Sequence, residues 1–153
     1  MKTIRLLLQT DNSAAPLLAR LALGLVMFPH GAQKLLGWFG GHGFTGTMGF
    51  FTGTLHIPAV FAFLAIVAEF AGSLGLVTGF LARLSALGIA VTMAVAIFMG
   101  HAGNGFFMNW SGTQAGEGFE YHLLAIGLAL VVLVQGAGKA SVDGLLSRRA
   151  ATR

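Results

Sequence analysis

The sequence predicts an all-α integral membrane protein: a four-helix bundle in one domain, 1–153, with both termini cytoplasmic and a short interfacial helix in the first outer loop. Three observations predict it. Charged residues are 9% of the chain, where a soluble domain carries roughly 25% and needs them to cover its surface. Four apolar runs, over 17–36, 57–80, 84–100 and 121–135, reach or approach the ~20 residues that cross a bilayer as a helix, and none alternates apolar and polar residues as a barrel strand does. Lys and Arg are missing from both long loops, 37–56 and 102–120, which assigns those loops to the outer side.

Each element has its own justification. Lys2, Arg5 and Arg20 mark the start of the first span as cytoplasmic. Pro29, His30, Gly31 and Gln33 stand where a secretory signal would have a small-x-small cleavage site, so the helix reads as retained. Pro29 removes a backbone donor and is expected to kink it. The loop 37–56 mixes seven glycines with Trp38, Phe39, Phe44, Met48, Phe50 and Phe51, a composition suited to the headgroup layer, with a short helix over 44–55. Pro58 opens the second span, where its missing N–H costs nothing. In that span Glu69, Gly72 and Ser73 share a face, and Gly75 and Gly79 form a small-xxx-small pair that admits a neighbouring helix. Arg83 sits in a tight cytoplasmic turn, and His101 closes the third span. The second outer loop, with Asn104, Phe106, Phe107, Asn109 and Trp110, reads either as an aromatic belt or as a cover over the bundle. Glu120 and His122 open the fourth span, Lys139, Arg148, Arg149 and Arg153 follow it, and the tail after Val142 reads as a short cytoplasmic end.

Composition also excludes chemistries. There is no cysteine, which removes disulfides, thiol redox and thiolate-held metals. The net charge of +4 is spread beside apolar spans rather than gathered on one face, so it points to membrane lipid and not to nucleic acid. No dinucleotide motif is present, so electrons for any redox role must come from the substrate or from a partner, such as a soluble redox enzyme.

The chemistry-bearing residues converge on the outer end. His30 and Lys34 are one turn apart on the first span, Glu69 lies deeper on the second, and His101, Glu120 and His122 lie at the outer ends of the third and fourth. A carboxylate at the depth of Glu69 costs on the order of 2.5 kcal/mol or more to insert, so it points to a use or to a partner. The structural alternatives stay open at this point. Glu69 is then neutral and bonded to Ser73, or paired with Lys34; His30 satisfies carbonyls freed by Pro29; His101 and His122 sit passively at an interface; and Glu120 complements a helix dipole.

Three separated motifs carry a resemblance. The segment Phe28-Pro29-His30-Gly31-Ala32-Gln33-Lys34-Leu35, the Ile57-Pro58 start followed by Glu69 and Gly72-Ser73-Leu74-Gly75-Leu76, and the tail Gly136-Ala137-Gly138-Lys139-Ala140-Ser141-Val142-Asp143 resemble the DoxX family of small bacterial membrane proteins. Ala137 and Lys139 stand where the family's usual tail has Pro and Arg. The resemblance implies a four-helix protein of the bacterial inner membrane, similar to the membrane subunit of thiosulfate:quinone oxidoreductases, and leaves open whether this chain is an enzyme. Together with the residues it gives a working expectation. His30, Lys34, Glu69, Glu120 and His122 are candidate proton-relay or ligand-pocket residues, and His30, Glu69 and His101 are candidates for a quinone pocket, with no metal or haem. The rival readings are a non-catalytic scaffold for soluble redox partners, a small-solute transporter working as a homo-oligomer, and a haem carrier ligated by His30, His101 or His122.

Overall fold

The computed structural model describes residues 7–151, so Lys2, Arg5 and Arg153 lie outside the described residues. Among those described there are helices and no strands. Helix α1 runs Ala14–Leu36 and is followed by a 3-10 turn, Trp38–Gly40. Helix α2, Gly43–Gly49, passes directly into a π-turn, Phe50–Thr54. Helix α3 spans Ala59–Thr78 and α4 spans Ala82–Ala96. The latter continues without a break through a π-turn, Ile97–His101, and a 3-10 turn, Ala102–Asn104. Helix α5 is Glu120–Gln135 and α6 is Val142–Ala151.

Three segments are long and apolar enough to cross a membrane: Ala14–Leu36, Ala59–Thr78 and Ala82–Asn104. The third begins and ends further out than the 84–100 read from composition. Hydropathy falls at the glycines and polar residues near His101, but the backbone stays helical as widened and tightened turns. Pro29 sits inside an unbroken α1. Helix α5, at 16 residues, covers about 24 Å, short of the ~30 Å hydrocarbon core. Helix α1 packs on α3 and α5, α3 on α4, and α4 on α5. The core between them holds Leu23, Met27, Leu76, Ile89, Met93 and Val132. Outward positions such as Leu18, Leu25, Phe61, Leu64, Leu124 and Val134 are exposed, which suits a surface facing lipid rather than water.

Glycine sets the α1–α3 distance. A Cβ at Gly31 would lie 2.6 Å from Phe70 Cα and backbone N, and one at Gly24 would lie 3.0 Å from Leu76 Cβ and the Ser73 carbonyl. The two backbones therefore touch, as small residues at helix crossings permit. Gly75 accommodates Ser85 of α4, but Gly79 does not serve a helix crossing. It ends α3 in the left-handed region at φ 67°, directly under Ser141 and the Arg20 guanidinium.

The end of the bundle opposite the long loops is tied by two side chains. Arg20 is 1% exposed and donates to five carbonyls: Leu76 and Val77 at the end of α3, and Ala137, Lys139 and Ala140 in the α5–α6 connection. It is a buried tie, and the expectation that it acts as a simple topology marker omits this packing. Asp143, also 1% exposed, accepts from the backbone N–H of Leu81 at 2.8 Å and of Ala82 at 2.9 Å, capping α4 from outside its own helix. Burial holds its carboxyl above the ordinary carboxylate range, against the opposing pull of those two N–H groups and of Arg20 and Arg83. Ser141 donates to the Gly138 carbonyl and accepts from Gly144 N–H. The tail after Val142, read from sequence only as a short end, is thus a packed latch, invisible to hydropathy because its side chains bond to backbone atoms.

Candidate functional site

The close α1–α3 approach places Lys34 over Glu69. Their Nζ and Oε2 atoms are 2.5 Å apart, with Glu69 3% exposed and the Lys34 side chain 26% exposed. Of the partners open to Glu69, the ion pair is the one formed, since Ser73 donates instead to the Phe70 carbonyl. His30, one turn before Lys34, is exposed on the same side and makes no hydrogen bond among the described residues.

The other half of the site comes from α4 and α5. The π-turn that prolongs α4 carries His101 against His122 in the first turn of α5, with ring centroids 4.1 Å apart. His122 is 6% exposed, and its Nδ1 is buried without a hydrogen-bond partner. An imidazole nitrogen in that condition forfeits a hydrogen bond it had in water. Nδ1 of His101 is 2.9 Å from the Glu117 carbonyl. Tyr121 lies between the histidines, its ring 6.1 Å from His30 and 5.6 Å from His122, and its hydroxyl donates to Met27 Sδ at 3.3 Å, a weak acceptor.

These residues open on a groove of about 1470 Å³ between α3 and α4. Its walls are apolar, from Phe61 and Leu64 near the loops to Thr78 and Leu84 at the far end, and His30, Lys34, Glu69, His101 and His122 lie along one side. Five of the six residues singled out by sequence therefore share one groove. Glu120 does not line it. Its Oε1 accepts from Met108 N–H at 2.8 Å and from the Trp110 indole at 3.4 Å, so it shapes the second loop. Glu117, which hydropathy offered no reason to notice, lines the groove, and its Oε2 accepts from Asn109 N–H. Tyr121 was equally legible as the neighbour of His122, being the single tyrosine of the chain. Among the described residues no group of three or more His, Cys, Asp or Glu could hold a metal ion. The His101 and His122 rings lie too close to admit a porphyrin between them.

A family model described as DoxX matches residues 15–102, more than half of the chain. The chain belongs to the DoxX family. Comparisons with curated proteins and with solved structures gave no match. The DoxX match takes in His30, Lys34, Glu69 and His101, so the ion pair and the α4 side of the groove lie inside it. Glu117, Tyr121 and His122, together with the tail latch, lie beyond it. This DoxX protein is a membrane protein by its family and by its apolar helices.

Proposed function

We propose that this DoxX protein is a multi-pass component of the bacterial inner membrane, spanning four times with both termini cytoplasmic, that binds a quinone or a similar amphipathic carbonyl compound in the α3–α4 groove. The observation that carries the reading is His122: a buried imidazole nitrogen without a partner, at the polar end of an otherwise apolar groove on the lipid side. Small-molecule sites have this character, apolar walls with a few convergent polar groups. The residues fit a quinone. His122 and Lys34 offer hydrogen-bond donors to ring oxygens, and the groove accepts a lipid tail.

A bound quinone supplies two-electron, two-proton chemistry. What the chain supplies is positioning and protons. Lys34, its ammonium fixed by Glu69, would be the residue to hold a ring oxygen, and its positive charge would favour charge developing there. An imidazole carries a donor and an acceptor on separate ring nitrogens, so His122, His101 and His30 are residue types able to hand on a proton. With no cysteine and no dinucleotide motif, the electrons come from a partner or from a reducing substrate, which makes this chain the membrane member of an oxidoreductase system.

The test is binding. Protein purified in mild detergent is expected to carry a lipid-soluble quinone identifiable by mass spectrometry and to bind a short-chain quinone analogue. His122→Ala removes one hydrogen bond worth about 1.4 kcal/mol and should weaken that binding about tenfold. Absence of any saturable analogue binding by the folded wild-type protein would refute the reading.

A further inference from the structure

We propose that the polar cluster exchanges water and protons with the long-loop side of the membrane alone, through His101 and Glu117, and is sealed from the tail side by the apolar layer beneath it. The inference rests on the reading of this groove as the working site and adds its sidedness. The groups facing His122 are His101 from α4, Glu117 from the loop, His30 and Lys34 from α1, Glu69 from α3 and its neighbour Tyr121. They lie towards the loop end, with Glu69 the deepest, halfway along α3. Towards the tail the interior is closed by side chains with 0–2% exposure, among them Leu23, Leu76, Ile89 and Val132.

Among the described residues no ionisable side chain lies within that layer. Ser73 is buried, with its hydroxyl committed to the Phe70 carbonyl. The next ionisable group is Arg20, whose guanidinium is spent on five carbonyls and which does not release a proton in proteins. The loop end differs. The Lys34 side chain is 26% exposed, Glu117 is exposed and His101 half-buried, and His101 stands against both the Glu117 carbonyl and the His122 ring. The His101 and His122 rings are in direct contact, with centroids 4.1 Å apart, and the Tyr121 ring stands 5.6 Å from His122 and 6.1 Å from His30.

The chain has no cysteine, so single-cysteine variants give an unambiguous test. Right-side-out and inverted vesicles are treated with silver ion, small enough to travel with water. The vesicles are then denatured, and the unprotected thiol is counted with a maleimide. Gly112→Cys in the second loop and Leu145→Cys in α6 mark the two faces. His122→Cys and His101→Cys are expected to lose maleimide label on the face that protects Gly112→Cys and to keep it on the other. Ala86→Cys and Ala129→Cys, both in the sealing layer, are expected to keep full label on both faces. Tyr121→Cys replaces His122→Cys should that variant fail to accumulate. Protection of the site cysteine from the Leu145 face, from both faces or from neither overturns the proposal, as does protection of either sealing-layer cysteine from the Leu145 face. Quinone-analogue binding is scored separately, so a protein that binds without this sidedness removes only the present inference. One with the sidedness but no binding removes only the ligand.

Discussion

At the scale of single residues, the Lys34–Glu69 pair discriminates between a packing role and a ligand role. Glu69→Gln keeps shape while removing charge. If the pair serves a ligand, the variant should hold its thermal stability and lose affinity for a quinone analogue. If the pair only braces α1 against α3, then Glu69→Gln and Lys34→Met should each cost about 3–5 kcal/mol by stranding the other charge, and the double variant should recover much of the loss. Thermal melts in detergent, read beside binding, separate the two. Arg20 makes a stronger structural demand. Arg20→Met leaves carbonyls of α3 and of the tail connection unpaired, at about 1–3 kcal/mol for each one that no water reaches. Arg20→Lys should rescue only part of the loss, because an ammonium has three donors and lacks the planar fork. Asp143 titrates against the usual direction. Its folded-state carboxyl is raised by burial, so the native state binds that proton more tightly than the unfolded chain does. Its contribution is fully present below the unfolded value and is lost as pH rises through the folded one. The stability of the wild type relative to Asp143→Asn is therefore expected to grow on acidification, a difference measurable as the gap in Tm across a pH series.

Among the elements, the α1–α3 crossing is the one most sensitive to volume. Gly31→Ala sets a methyl 2.6 Å from the backbone of Phe70. Backbone cannot step aside, so overpacking of about 1–3 kcal/mol or more is expected, with displacement of Lys34 from Glu69. Gly49→Ala and Gly53→Ala meet nothing within 4 Å and should leave the melt unchanged. The contrast checks that the crossing itself matters, not glycine content in general. These elements also show what the sequence made legible. Spans over 17–36 and 57–80 correspond to α1, Ala14–Leu36, and α3, Ala59–Thr78, because burial in lipid writes itself directly into composition. The short helix over 44–55 appears as α2, Gly43–Gly49, with its π-turn to Thr54. The convergence of His30, Lys34, Glu69, His101 and His122 was legible because helical rise converts position into depth. Two things were not. Arg20 reads as a flanking charge until α3 and the tail are folded around it. Glu120 was expected at the site and Glu117 was not marked, but the loop, held by Phe119 N–H to the Gly105 and Phe106 carbonyls, leaves Glu117 on the groove and Glu120 off it.

Across the whole molecule, orientation is the property to establish first. By the positive-inside rule, the loops without Lys or Arg predict residues 46 and 112 on the outer side and the positions after 82 and 149 inside. Reporter fusions after Gly46 and Gly112 should read as periplasmic, and fusions after Ala82 and Arg149 as cytoplasmic. A cytoplasmic signal at Gly112 would overturn the four-span arrangement. The short α5 makes sense at this scale too. Irregular backbone near a membrane is tolerated only where protein satisfies its polar groups, and the Ala137, Lys139 and Ala140 carbonyls are satisfied by Arg20.

That same tie orders events in time. Arg20 leaves the ribosome more than a hundred residues before Ala137, Lys139 and Ala140, which supply three of the carbonyls that satisfy it. Until those residues are made its guanidinium must wait at the bilayer edge, stretched towards water, and only then can it be drawn inward. A message cut short after Gln135 would yield three long apolar helices and the whole of α5, yet leave a cation with no home between them. Such products are expected to be cleared by membrane proteases while the full-length chain persists, a difference that pulse-chase labelling would read directly. Helix α1 thereby holds a check on whether the segment after α5 was ever made.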